Sequence, residues 1–375
     1  MKATNARTKV EEMIETARGI EKCCSDVIIN SEEIEAVQVS ETDRLSLGLK
    51  LRRGRVLTVK KDFILGRIAS QSRVPNQYLE RMIEDDPELA IRCVTSGFQH
   101  NLTGGGEERE MKVRIYSPAG EPEILRGLVS SRYMPMSSAE ILEVFAELYP
   151  LDTMEIGKSS IDEYDLLLQS RSVKDLTKSG EVEVGDIFPG FSLTNNEISL
   201  GAFEAIARLY RLACSNGMVV SVSGMGGANR KIHLGDEEEG SRFIRQYLGE
   251  QLHLMNTQME YGIPLIQTAT KTKCDINQLY YGLRKKENIK TDQLAEMFVG
   301  WEHEKGLGKN VWGAVNGITR MARDTKSIVE SHRFEKLAGE LIQKDEKQIK
   351  GLEALGRSYL DDMQRKGKDI LVSAN

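Results

Sequence analysis

Phosphate contact is the chemistry for which this sequence supplies the densest side chains. Lys50, Arg52, Arg53, Arg55, Lys60 and Lys61 crowd the segment L-K-L-R-R-G-R-V-L-T-V-K-K (49–61). Cations at this density suit a nucleic-acid backbone, because each contact releases condensed counterions. The same residues also read as a solvated strand edge, where charge blocks unwanted pairing. Taken as a strand, Arg53 and Arg55 face one side and Arg52 the other. A second run, Arg284-Lys285-Lys286 with Lys290, follows Tyr280-Tyr281, and Arg320 with Arg323 is a third. Aromatics beside cations suit single-strand stacking, although two tyrosines on a helix more often belong to the core. The glycine-rich G-M-G-G-A-N-R-K-I-H (224–233) offers backbone N–H groups beside Arg230, Lys231 and His233. Such a segment cradles an anion, and a plain basic loop is its simpler alternative.

Other chemistries find less support. Neither 224–233 nor G-L-G-K-N (306–310) has the G-x-x-x-x-G-K-[S/T] spacing of a nucleotide-hydrolysing loop. His100, His233, His253, His303 and His332 do not fall at metal-ligand spacing, and His303-Glu304 does not open an H-E-x-x-H. Cys23, Cys24, Cys93, Cys214 and Cys274 are odd in number and scattered, as in a reduced compartment. Adjacent Cys23 and Cys24 read as part of a half-buried helix. A Ser or Cys nucleophile lacks a base placed by sequence. The expectation is therefore no catalytic residues, no metal and no cofactor.

The elements that must position these residues follow from periodicity. Thr8 and Glu11 have capping-box spacing and open a helix over 8–24 with Val10, Met13, Ile14, Ala17 and Ile20 on one stripe. Residues 25–47 are acidic and partly strand-like, and Val56–Val59 is a short strand. A helix runs from Asn76 to Glu84 and stops at Asp85-Asp86-Pro87. Leu89–Val94 reads as a strand. The triple glycine 104–106 marks a boundary. Beyond it come strands at Met111–Ser117 and Ile124–Met134, a turn at Pro118, Gly120 and Pro122, and a helix opened by Ser137 and Glu140. Met154–Ser159 and Tyr164–Gln169 form a hairpin, 171–186 is a charged loop, and Asp186–Asn195 resumes β. Phe203, Ile206, Ala207 and Tyr210 predict a helix over Gly201–Ala213. Asn216-Gly217 then turns into a strand at Met218–Val222. Past Gly240 the pattern is helical near 240–259, 275–285, 291–303 and 311–321. An amphipathic stretch follows from Thr325 to Lys366.

The fold class expected is α+β: an antiparallel β-rich core with packed helices, followed by a mainly helical C-terminal region. Its parts are a helix/strand region 1–107, a core 108–323 and a charged amphipathic tail 324–375. Of the 375 residues 40% are hydrophobic and 29% charged, a globular balance. With 51 basic and 57 acidic residues the net charge is −6, so any phosphate site is a local patch and not a general coat. No opening apolar region or run of about 20 apolar residues is present, and the expected location is the cytoplasm, with no membrane partner.

Four segments carry a resemblance. They are R-L-Y-R-L-A-C-S-N-G-M-V-V (208–220), A-N-R-K-I-H-L-G (228–235), N-V-W-G-A-V-N-G-I-T-R (310–320) and S-S-R-Y-M-P-M-S-S-A-E-I-L (130–142). Together they resemble the phage- and plasmid-type proteins of domain-of-unknown-function family 932, over roughly 108–335. Gly317 stands where that family usually has Ala. The resemblance implies a mobile-element setting and no particular activity. Combined with the basic segment at 50–61, it leads to an expected single-stranded DNA partner and an oligomeric annealing or recombination factor. The strand–strand–helix unit at 111–149 resembles, at fold level, the core of Rad- and Red-beta-type annealing proteins. The alternatives are a non-enzymatic host-interaction or anti-defence protein with a host protein as partner, and a cryptic enzyme. A homo-oligomer is expected.

Overall fold

The computed structural model describes residues 6–41, 44–100, 109–173, 187–198, 201–211, 216–218, 237–325, 328–367 and 370. The fold is α+β, with sheets in the first half and helices after them. Helix α1 (Ala6–Lys22) buries Val10, Met13 and Ala17 of its predicted stripe and leaves Ile14 and Ile20 half-buried. Strands β1 (Cys24–Asn30), β2 (Ile34–Glu41), β3 (Arg44–Leu51) and β4 (Val56–Thr58) precede helices α2 (Asp62–Ser72), α3 (Asn76–Asp85) and α4 (Pro87–Gln99). Next come β5 (Glu110–Tyr116), β6 (Ile124–Ser130) and α5 (Ser138–Leu148). The first sheet has the order β1-β5-β6-β4-β3-β2 and is antiparallel except where β4 meets β6. Strands from either side of residue 108 therefore pair in one layer: β1 with β5, and β4 with β6. Ile34, Leu49, Leu57, Val113, Ile115 and Leu125 pack one face of this sheet against α2 and α4.

The second sheet holds β7 (Met154–Ile161), β8 (Asp165–Ser172), β9 (Ile187–Asn196), β10 (Glu204–Arg211) and β11 (Asn216–Met218), in the order β11-β10-β9-β8-β7. Leu166, Leu168, Phe191, Leu193 and Phe203 meet α1, α5 and the start of the long helix α6 (Glu237–Lys271) in a second core. A third core gathers the rest of α6 with α7 (Ile276–Glu287), α8 (Thr291–Glu304), α9 (Val311–Asp324), α10 (Ile328–Ile342) and α11 (Glu346–Arg365). Among the described residues no helix is long and apolar enough to cross a membrane.

Several expectations are corrected. Leu89–Val94 is helical within α4, because the Asp86 carboxylate accepts from Leu89 N at 3.0 Å and Pro87 starts the helix. Its buried Ala90, Val94 and Phe98 recur every four residues, a period that a six-residue window does not show. Residues 204–211 are strand and not helix: β10 pairs with β9 along its whole length. Its early side chains alternate, with Phe203 and Ala205 buried. Asn216 and Gly217 lie inside β11 and not in a turn before it. The strand begun at Ile124 ends at Ser130, and Cys24 is in β1, one residue past the turn that ends α1. The stretch 325–366 is two helices, broken where Asp345 caps α11 in a capping box with Gln348. The triple glycine 104–106, most of the 171–186 loop, Cys214 and the segment 224–233 with Arg230 and Lys231 lie outside the described residues.

Candidate functional site

The basic segment 49–61 forms a hairpin in the interior of the first sheet, because β3 lies between β2 and β4, and β4 between β3 and β6. It is not a sheet edge. Residues 52–54 are the turn, closed by Leu51 N to Arg55 O at 2.8 Å, with Arg53 at φ 77° and Gly54 at φ 83°. Arg53 is thus a left-handed turn residue, and the expected shared face of Arg53 and Arg55 on a strand does not exist. Neighbouring segments then supply Lys50, Arg52, Arg55 and Lys60 each with a carboxylate. Lys50 Nζ donates to Glu35 at 3.1 Å, Arg52 pairs with Glu33, and Lys60 Nζ lies 3.4 Å from Glu121. Arg55 grips Glu123 with both Nε and Nη2, the latter at 2.6 Å, and this holds the Glu123 carboxyl below its usual range. Lys61 Nζ stands 5.8 Å from the centre of the Tyr164 ring.

The second basic run is built differently. Arg284, Lys285 and Lys286 occupy the last turn of α7, where they complement the helix dipole, and Asn288 at φ 52° ends the helix. Tyr280 and Tyr281 are fully buried, in line with the core reading. The aromatic partner comes from elsewhere: the half-buried Tyr359 of α11 lies 5.9 Å from the Arg284 guanidinium and 5.6 Å from Lys285 Nζ. Lys286 pairs with Glu287 at 3.3 Å. Arg284 donates to Thr291 Oγ1 at 3.0 Å, and neither it nor Lys285 has a carboxylate at ion-pair distance among the described residues. Tyr359 reaches this point because α7 and α11 cross at backbone contact. A Cβ on Gly356 would lie 1.8 Å from Gln278 O, and one on Gly282 2.1 Å from Leu352 O.

A third feature was not foreseen. A cavity of about 480 Å³ opens between β1, the α5 N-terminus and the start of α6. Its charged lining includes Arg114, Arg126 and Glu197, which are 5%, 2% and 6% exposed. Arg126 Nη2 donates to Glu197 Oε2 at 2.7 Å, and Arg126 Nε donates to the Glu163 carbonyl. Arg114 Nε donates to Asp26 Oδ1 at 3.0 Å, and Arg114 Nη1 donates to the Glu197 carbonyl. Glu197 Oε1 accepts from Ser138 N at 2.9 Å, at the first turn of α5. Burial pushes the Glu197 carboxyl up, but Arg126, Arg114 and Ser138 outweigh it and hold it below its usual range. Burial pushes the nearby Cys24 thiol up, which makes it a poor nucleophile. One signal for this site was in the sequence. Arg114 and Arg126 each interrupt an apolar strand, and an ionic residue there is either at an edge or buried with a partner.

Among the described residues no group of three or more His, Cys, Asp or Glu side chains is placed to hold a metal. The chain matches no family model, no curated protein and no solved structure.

Proposed function

We propose that the protein binds single-stranded nucleic acid, with the C-terminal end of α7 as its contact surface. One observation carries this reading: Arg284 and Lys285 flank the Tyr359 ring without a carboxylate partner. Cations there are available to phosphates, and an adjacent ring offers a face for a base. Lys286 and the exposed Lys290 extend the patch. The 50–61 hairpin supports the reading less, because four of its six cations, Lys50, Arg52, Arg55 and Lys60, already pair with carboxylates. An annealing or recombination role in a phage or plasmid, carried out by an oligomer, is the setting proposed for this activity from the resemblance in the sequence.

Anisotropy of a labelled oligothymidylate over a salt series tests it. Each phosphate contact on a single strand contributes about 0.7 to the slope of log affinity against log salt. The double variant Lys285→Ala/Lys286→Ala should lose roughly 1 to 1.5 of that slope, whereas Arg53→Ala should leave it unchanged. Absence of binding by the wild type at low salt would remove this reading and leave a protein partner as the better one.

A further inference from the structure

Two guanidinium groups at the cavity floor keep N–H groups that no described residue accepts. Each of the two guanidinium groups commits two N–H bonds to protein acceptors: Arg126 to Glu163 and Glu197, Arg114 to Asp26 and Glu197. Arg126 Nη1 has no acceptor among the described residues, and Arg114 Nη2 comes only within 4.0 Å of Glu197 Oε2, beyond hydrogen-bonding reach. Neither nitrogen is among the sealed, partnerless atoms of the core, and both side chains line the cavity, so their spare N–H groups open into it.

Three of the four carboxylates around them already accept at least one hydrogen bond. Asp26 accepts from Arg114 Nε. Glu197 accepts from Arg126 and Ser138 N. Glu21, at the rim, accepts from Arg18 Nη1 at 2.8 Å and from the Ser137 hydroxyl. Glu140 alone among the lining carboxylates has no donor to its side chain among the described residues. Uncommitted N–H groups lie at the floor and an acceptor is spare at the rim, while Met134, Pro135, Met136 and Ile244 supply apolar wall between them. The volume falls within the range of small-molecule sites, roughly 300–1,000 Å³.

We infer that this cavity binds a small molecule whose carboxylate or phosphate group sits on Arg114 and Arg126, with a hydroxyl or amino group turned toward Glu140. A planar guanidinium with free N–H groups matches an oxyanion, and in a recessed site the pairing is little screened. The inference is independent of nucleic-acid binding, since the cavity is lined from β1, β5, β6, α5 and α6 and includes no residue of the α7 surface.

Calorimetric titration of the full chain at constant ionic strength tests it, with inorganic phosphate, adenosine monophosphate and succinate as separate probes. Saturable binding at about 1 mM or tighter by at least one probe is expected, and the probe that binds names the oxyanion. Two variants locate the event. Ser241→Trp obstructs the mouth from an exposed position of α6, and Arg126→Lys removes the planar donor while keeping its charge. Each should weaken binding by about tenfold or more. If Arg126→Lys fails to fold by circular dichroism, Ser241→Trp decides alone. No saturable binding by any probe, or binding unchanged in the folded variants, overturns the inference.

Discussion

The hairpin at 49–61 and the end of α7 have nearly the same composition and opposite electrostatic fates. In the hairpin, antiparallel register sets Lys50 directly opposite Glu35 in β2, and the parallel neighbour brings Glu123 to Arg55. Three consecutive cations on α7 cannot be neutralised in that way by their own helix, whose nearby acid is Glu287. Arg284 and Lys285 lie instead beside the Tyr359 ring, and only Lys286 pairs with Glu287. Local density of basic residues therefore measures charge in the chain and not charge at the surface. What separates the two regions is whether a sheet or a helix end supplies the neighbours.

The largest expected effect sharpens the paired side of that contrast by carrying it into the interior. In the cavity, Arg126 and Glu197 are both more than nine-tenths buried. Glu197→Ala leaves the Arg126 guanidinium without a carboxylate in low dielectric, while Arg114 keeps Asp26, and should cost about 3–5 kcal/mol. Adding Arg126→Met should recover part of the loss, because removing both partners of a buried pair is often close to neutral. Urea unfolding of the three proteins checks this, and a Glu197→Ala loss below about 1 kcal/mol would class the pair with surface pairs. The next effect breaks the helix side. Gly356→Ala forces a methyl into Gln278 O, so α11 must leave α7 and Tyr359 must leave Arg284, at about 3 kcal/mol. Gly351→Ala, on the same helix with nothing within 4 Å, should stabilise by about 0.5–1 kcal/mol. Thermal unfolding of both variants should shift in opposite directions.

Much of this architecture was legible. Ser137 with Glu140 announces α5, and the Ser137 hydroxyl does accept from Glu140 N at 3.1 Å. Pro118, Gly120 and Pro122 announce the β5–β6 turn, with Gly120 at φ 79°. Elements failed where a short pattern fits two periods. Phe203, Ile206 and Tyr210 suit a helix as well as Phe203, Ala205 and Ala207 suit a strand, and only pairing with β9 decides. The sites were less legible than the elements. Tyr359 lies 74 positions from Lys285, and Glu197 71 from Arg126, so nothing local in the sequence links them. Glu121 and Glu123 flank Pro122 in the β5–β6 connection and carry no sequence signal of their own, yet they pair with Lys60 and Arg55 of the basic hairpin.

The smallest effect tests the hairpin itself. Arg55 and Glu123 are each about one-third exposed, so their bidentate pair is partly screened. A double-mutant cycle with Arg55→Ala and Glu123→Ala should give a coupling of about 0.5–1 kcal/mol at neutral pH. Its pH dependence has a definite sign. The Glu123 carboxyl is held below the ordinary glutamate value of 4.5, first by the hydrogen bond from Arg55. A group whose folded pKa is depressed contributes stability that is complete above its unfolded pKa and fades as pH falls through the folded one. The coupling should therefore be flat from neutral pH down to about 5 and decline below 4.5. Salt should weaken it over the same range. A coupling near zero at neutral pH would mean that Arg55 is not held by Glu123 in this hairpin. Its guanidinium would then be available to a phosphate, and the contrast between the two basic regions would disappear.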